Sequence, residues 1–196
     1  MINHVWGLFA HPGPELQQIK REHESIGHLY LHHVLLMAAI PVVCSFIGTT
    51  RVGWSFGDGD YLRILPSTAL AIALAFYLLM LGAVALMGRV IHMLSRRFPS
   101  RPSLNECIVF AGYVATPMFL SGVVALYPVV WLCLFVGILA LVYSGYLLYL
   151  GMPAFLGVNK DEGVLISGST LGIGVLVLEF VLALTVIMWG YGAHIF

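Results

Sequence analysis

Five long apolar runs limit what this chain can fold into. They cover roughly Leu29–Gly48, Ile64–Gly88, Cys107–Leu126, Val129–Leu150 and Val164–Trp189. Each supplies about the 20 residues that a helix needs to cross a hydrocarbon layer at 1.5 Å per residue. A membrane strand needs only about 9–11 residues of alternating character, so length selects helices. Little more than Tyr127-Pro128 separates the third run from the fourth, which leaves room only for an antiparallel helical hairpin turning at the proline. Composition agrees: 60% of residues are hydrophobic and 9% charged, against about 45–50% and about 25% in soluble domains. The expected fold is an all-α integral membrane protein. A short amphipathic cytoplasmic and interfacial segment (1–28) precedes a five-transmembrane-helix bundle (29–196).

Basic residues set the orientation. With five spans, Lys20, Arg21, Arg89, Arg96, Arg97, Arg101 and Lys160 fall on one side, and only Arg51 and Arg63 on the other. The positive-inside rule places the first group in the cytoplasm, so the N-terminus is expected inside and the C-terminus outside. Nine Lys and Arg balance nine Asp and Glu. No basic surface remains for nucleic acid, and the bilayer is the first expected partner.

Local signals refine the ends. Met1–Ala10 lacks the charged start and the apolar length of a cleavable signal peptide. His4-Val5-Trp6-Gly7-Leu8-Phe9 reads as an interfacial foot, because Trp and Phe favour the headgroup region. Pro12 and Pro14 suit a helix start, with Leu16 and Ile19 on one side of the helix that follows. Ser103-Leu104-Asn105-Glu106 matches a capping box ahead of the third span. Cys44, Cys107 and Cys133 lie in or at the ends of spans at no metal-like spacing, and read as small buried hydrophobes. Gly57-Asp58-Gly59-Asp60 lacks the ligand series of a calcium loop and reads as a turn.

Inside the spans, Pro41 and Pro117 remove backbone donors and leave the carbonyls of Met37 and Tyr113 without helical partners. Thr116 and Ser121 are the nearby hydroxyls, and packing is the expected role of both prolines. Tyr143, Tyr146 and Tyr149 are likewise expected to pack. Gly168-Ser169-Thr170-Leu171-Gly172 has the small-xxx-small form that lets helices approach closely. It serves contacts within a chain or between chains, and a bundle this rich in glycine favours the first.

Ionisable residues at membrane depth are expensive, which makes them functional candidates. Glu179 sits near the middle of the fifth run as a proton carrier, ion ligand or anchor of a polar network. In Arg21-Glu22-His23-Glu24-Ser25-Ile26-Gly27-His28-Leu29-Tyr30-Leu31-His32-His33, a helical register stacks Glu24, His28 and His32 on one face. Two histidines one turn apart with a carboxylate nearby suit a divalent metal such as zinc; no HExxH is present. His33 is a further intramembrane polar residue. His4, His11, His92 and His194 fall near span ends and read as interfacial. No nucleophile elbow, phosphate loop, dinucleotide fingerprint or cysteine pair occurs, so no enzyme activity is expected, and no cofactor beyond a divalent metal at Glu24, His28 and His32.

Two segments carry a family resemblance. Ala111-Gly112-Tyr113-Val114-Ala115-Thr116-Pro117 resembles the Gly-Tyr-x-x-x-Pro segment in the third span of the Yip family, the Ypt/Rab-interacting membrane proteins. Leu147-Leu148-Tyr149-Leu150-Gly151-Met152-Pro153 is similar to that family's second recurring segment, at the end of the fourth span. The opening His11-Pro12 and Glu15 before Ile19 resembles its bacterial inner-membrane branch. The resemblance implies the five-span fold and marks Gly112, Tyr113 and Pro117 as motif residues. Eukaryotic members are implicated in vesicle traffic, Rab GTPase binding and shaping of secretory membranes, and carry a long cytosolic N-terminal segment with an acidic motif. That segment is absent here, so a Rab-like partner is not implied.

Two functions are therefore expected to compete. One is a non-enzymatic scaffold that packs against other membrane proteins or itself, possible as a homodimer through its glycine faces. The other is a proton or divalent-cation transporter or channel using Glu179 and His28/His32. Helical rise puts His32 about 6 Å beyond His28, and Glu179 about 22 Å along its own span from Val164, so the two sites are expected to be separate.

Overall fold

The structure is a computed structural model that describes residues 2–55, 61–96, 102–157 and 160–193; side chains at 2, 3, 160–162, 179, 181–183 and 185–193 lie outside the description. Among the described residues seven helical elements follow one another: α1 (Ile2–Ala10), α2 (Pro12–Arg21), α3 (Ile26–Val52), α4 (Pro66–Ser95), α5 (Leu104–Leu126), α6 (Val130–Leu156) and α7 (Lys160–Ala193). Among the described residues, α3, α4, α5 and α6 are long and apolar enough to cross a membrane. The described apolar part of α7, Gly163–Leu178, is shorter.

The boundaries follow from local chemistry. Pro12 and Pro66 open α2 and α4 at positions whose N–H needs no helical partner. Ser25 caps α3 by accepting the His28 N–H at 3.2 Å. The expected capping box opens α5: Ser103 Oγ accepts the Glu106 N–H at 3.2 Å while the Glu106 carboxylate accepts the Ser103 N–H at 2.8 Å. Gly157 closes α6 with φ +67°, a left-handed position open to glycine, and its N–H bonds the Met152 carbonyl.

Helix α5 is the centre of the bundle, with 61% of its most apolar stretch buried against 11–28% for the other three spans. It is also broken. The α-helix Leu104–Val114 stops at Ala115, restarts as Thr116–Ser121 with Pro117 in its first turn, and tightens into a 3₁₀ segment at Gly122–Leu126. Pro41 lies inside α3, buried, with its ring against Gly122, so it serves packing as expected. The hydroxyls expected to rescue freed carbonyls act elsewhere. Ser121 Oγ donates to the Met118 carbonyl at 2.7 Å, and Thr116 Oγ1 lies 2.9 Å from His33 Nε2.

At the far end, the loops after α3 and α5 are stitched together: the Ser55 N–H reaches the Pro128 carbonyl, and the Val130 N–H the Ser55 carbonyl, both at 3.0 Å. Cys44, Cys107 and Cys133 are free thiols. The loop residues Gly57-Asp58-Gly59-Asp60, and His194, lie outside the described residues.

The N-terminal segment packs against the bundle. Leu8, Leu16 and Ile19 are essentially inaccessible and belong to the same core as Phe110, Leu147 and Met152. Helix α1 runs back along α2, with His4 bonded to Glu15 and 3.3 Å from Glu22. Its far end docks on α6, where Tyr143 donates to the Leu8 carbonyl at 2.8 Å and stacks on Phe9 at 5.1 Å. Tyr143 is 13 residues before the end of α6, so the hairpin of α1 and α2 reaches about 20 Å along that helix. Trp6 still faces outward, 75% exposed.

Candidate functional site

The N-terminal end of the bundle holds a polar cluster built around Glu24, in the turn between α2 and α3. Its side chain is 9% exposed. One carboxylate oxygen accepts from the Tyr113 hydroxyl at 2.9 Å, and the other lies 2.6 Å from His28 Nδ1. Asn105 completes the joint through two backbone groups: its Nδ2 donates to the Glu24 carbonyl at 2.8 Å, and its Oδ1 accepts the Ile26 N–H at 3.1 Å. Four bonds thus tie one turn to two side chains of α5 and one of α3. A cleft of about 190 Å³ lined by Lys20, His23, Glu24, Asn105 and Glu106 opens beside them.

The motif residues meet here. Gly112 lets Leu29 of α3 come close, because a β-carbon would sit 2.9 Å from the Leu29 side chain. Tyr113 presents its hydroxyl to Glu24 and its ring to two histidines, 6.1 Å from His4 edge-on and 4.5 Å from His33. Pro117 follows the break at Ala115 that exposes Thr116 Oγ1 to His33. The Gly-Tyr-x-x-x-Pro spacing therefore places one close approach, one hydrogen-bond donor and one kink on the face of α5 that meets α3.

His28 and His32 share a face of α3, while Glu24 sits in the turn ahead of the helix rather than on that face. His28 and His32 stack with ring centres 4.2 Å apart, beside the Glu24–His28 bond. His32 Nδ1 lies 3.2 Å from the carbonyl of His28, and both imidazoles are exposed. Among the described residues, no three His, Cys, Asp or Glu side chains come together closely enough to hold a metal ion. His33, one residue on, is fully buried, with Nδ1 lacking any partner. The chain between them is a π turn, Tyr30–Val34. Its wider i→i+5 winding accompanies the split that leaves His32 outside and His33 inside.

Glu179 belongs to α7, but its side chain lies outside the described residues. Gly168 and Gly172 do not meet the expected intramolecular contact: a β-carbon at either finds nothing within 4 Å. Both are exposed, in an i,i+4 row with exposed Val164 and Leu176.

His4, read as interfacial, instead pairs with Glu15 and Glu22. In sequence Asn105 reads as part of a cap and Thr116 as a hydroxyl beside a freed carbonyl. Their partners are 79 to 83 residues distant in the chain, and no local pattern announces such pairs.

Comparison with known proteins matches the Yip1 domain to residues 6–181, a stretch that includes the hairpin tip, the cluster and most of α7. Two curated relatives, each named inner membrane protein YohC, come from Escherichia coli strains K12 and CFT073. Each is 65% identical over 195 residues, covering 100% of both chains. No solved structure matches. A domain match across nearly the whole chain, full-length relatives and membrane-length helices around the Gly112-Tyr113…Pro117 motif lead to one conclusion: the chain belongs to the Yip1 family of membrane proteins.

Proposed function

We propose that the chain is a non-enzymatic scaffold of the bacterial inner membrane, docking helices of other membrane proteins or of a second copy. In this reading it crosses the membrane five times, α7 being the fifth span, with its N-terminus in the cytoplasm and its C-terminus in the periplasm. The basic-residue bias and the name borne by its relatives support that placement.

The observation that carries the proposal is the outward row Val164, Gly168, Gly172 and Leu176 on α7, open at both glycines. Lipid tails gain little by covering glycine. A facing helix can instead approach until backbones touch, gaining dispersion contacts that lipids do not supply. The polar cluster fits a scaffold too, since three of its four bonds hold the turn and the start of α3 against α5.

Cysteine cross-linking in native membranes tests this. In a background lacking Cys44, Cys107 and Cys133, Leu176→Cys is expected to form a disulfide-linked dimer. A Gly168→Leu/Gly172→Leu pair is expected to cut that yield about tenfold. Unchanged cross-linking in the leucine pair would remove the glycine row from the interface. A product of neither dimer nor heteromeric size would count against the scaffold.

One observation favours a second reading, cation handling through Glu179 and His28/His32: the stacked histidines beside the Glu24 carboxylate. Rotation of His32 away from the His28 carbonyl would free a second ring nitrogen. Zinc titration of the purified protein would then give binding that His28→Ala/His32→Ala weakens by about tenfold or more. Equal, weak binding by both proteins would dismiss the metal.

A further inference from the structure

Both ring nitrogens of His4 face carboxylates. Its Nδ1 meets Glu15 Oε1 in the first turn of α2, and its Nε2 lies 3.3 Å from Glu22 Oε2, just past the end of that helix. The His4 and Glu15 side chains are 15% and 14% exposed, so little water competes for their contact. Gly7 makes it possible, because a β-carbon there would overlap the Glu15 carboxylate.

A neutral imidazole carries one N–H and one bare lone pair, and an ionised carboxylate only accepts. Whichever tautomer a neutral His4 took, its bare nitrogen would point at a carboxylate oxygen. Only the imidazolium has two donors, one for Glu15 and one for Glu22. Bonds of that charged kind are roughly twice as strong as neutral ones.

The surroundings leave this task to His4. From α2, Gln18 Nε2 donates to the other Glu22 oxygen at 3.4 Å, and among the described residues neither Lys20 nor Arg21 pairs with Glu15 or Glu22. From α5, Tyr113 meets His4 edge-on at 6.1 Å and gives its hydroxyl to Glu24. From the α3 side, Glu24 is engaged by Tyr113 and His28, and His33 by Thr116. At the tip, His11 is exposed, and Tyr143 of α6 donates to the Leu8 carbonyl.

We propose that α1 is a proton-operated clasp: His4, as an imidazolium bridging Glu15 and Glu22, holds α1 on α2, and loss of its proton releases the helix. The sign follows from the donor count. The clasp is whole while the ring is charged and is lost as pH rises through its titration. Release takes Leu8 out of the core and frees the Tyr143 hydroxyl, so the closed clasp covers a face of α6.

The test uses the full chain in nanodiscs, in a background lacking Cys44, Cys107 and Cys133. Spin labels at Trp6→Cys on α1 and Gln17→Cys on α2, both exposed positions, report the separation of the two helices by pulsed electron resonance. A window from about pH 6 to about pH 9 contains the ordinary histidine range, above that of carboxylates and below that of tyrosine and lysine. Across it the ratio of open to closed separations is expected to rise about tenfold, the scale of one hydrogen bond to a charged group.

Glu22→Gln separates a titrating clasp from a merely structural contact. Its amide donates to the bare Nε2 of a neutral ring, so this variant is expected to stay closed across the window. His4→Gln has no proton to lose and should show one ratio at every pH; if it fails to fold, Glu22→Gln decides alone. A wild-type ratio that does not move with pH would overturn the clasp. So would an equal rise in Glu22→Gln or His4→Gln, which would place the titration at another histidine.

Discussion

Gly122→Ala is expected to destabilise the protein by about 3 kcal/mol, the upper range for overpacking a close contact. A β-carbon there would lie 2.6 Å from the Cα of Pro41, where neither backbone nor proline ring can rotate aside. Gly88→Ala should behave alike, because its β-carbon would lie 2.6 Å from the Cα of Ile108. Gly48→Ala would push against the carbonyl of Ala125. Together these glycines set the crossings of α3 and α4 with α5.

Gly82 and Gly137 supply the control. A β-carbon at either meets nothing within 4 Å, so alanine there should gain about 0.5–1 kcal/mol from helix propensity alone. Reversible unfolding in mixed micelles measures the whole series. Gly122→Ala unfolding at the same point as Gly82→Ala would mean that α3 and α5 do not cross at Pro41.

That contrast shows where sequence reading reaches and where it ends. Span lengths, the turn at Pro128 and the capping box at Ser103 are local properties, written in runs and spacings a few residues long, and they are legible. Which glycines touch something is not. Gly122 and Gly168 look alike in sequence, yet one holds a proline ring and the other faces outward. The difference depends on which side of each helix a partner occupies. The docking of the N-terminal hairpin is hidden for a related reason: Trp6 and Phe9 carry the pattern of an interfacial anchor, while the contact of Leu8 with Tyr143 spans 135 residues.

The candidate site was half legible. Glu24 and His28 at i,i+4 follow from helical periodicity, and the structure joins them at 2.6 Å. Periodicity singled out His32 over its neighbour, because an α-helical register carries the stack from His28 to His32. His33 stands out as an intramembrane polar residue, but nothing in the residues Tyr30–Val34 advertises the π turn that accompanies its burial. Tyr113 was visible only as a motif residue, and its carboxylate partner had to come from the fold.

The Tyr113–Glu24 bond makes the second large prediction. Glu24→Leu removes the acceptor for Tyr113 and the partner of His28, and leaves the hydroxyl of a buried tyrosine unsatisfied. The expected cost is about 2–3 kcal/mol, the range for hydrogen bonds to a charged group. Because the turn joins α2 to α3, that loss should appear as release of the hairpin before the bundle unfolds. Trypsin attack after Lys20 and Arg21 in the solubilised protein reads this directly, and about tenfold faster cleavage is expected in Glu24→Leu.

Glu24→Gln retains an acceptor and should stay near wild type. Asn105→Leu should match the leucine variant, since it orphans both the Ile26 N–H and the Glu24 carbonyl. Tyr113→Phe leaves the carboxylate with His28 and should fall between. Equal protease resistance in Glu24→Leu and wild type would show that packing of Leu8, Leu16 and Ile19 alone holds the hairpin. If the order is as stated, the tyrosine of the Gly-Tyr-x-x-x-Pro segment is a latch for the segment that precedes the first span, and the adjoining glycine and proline give that latch its geometry.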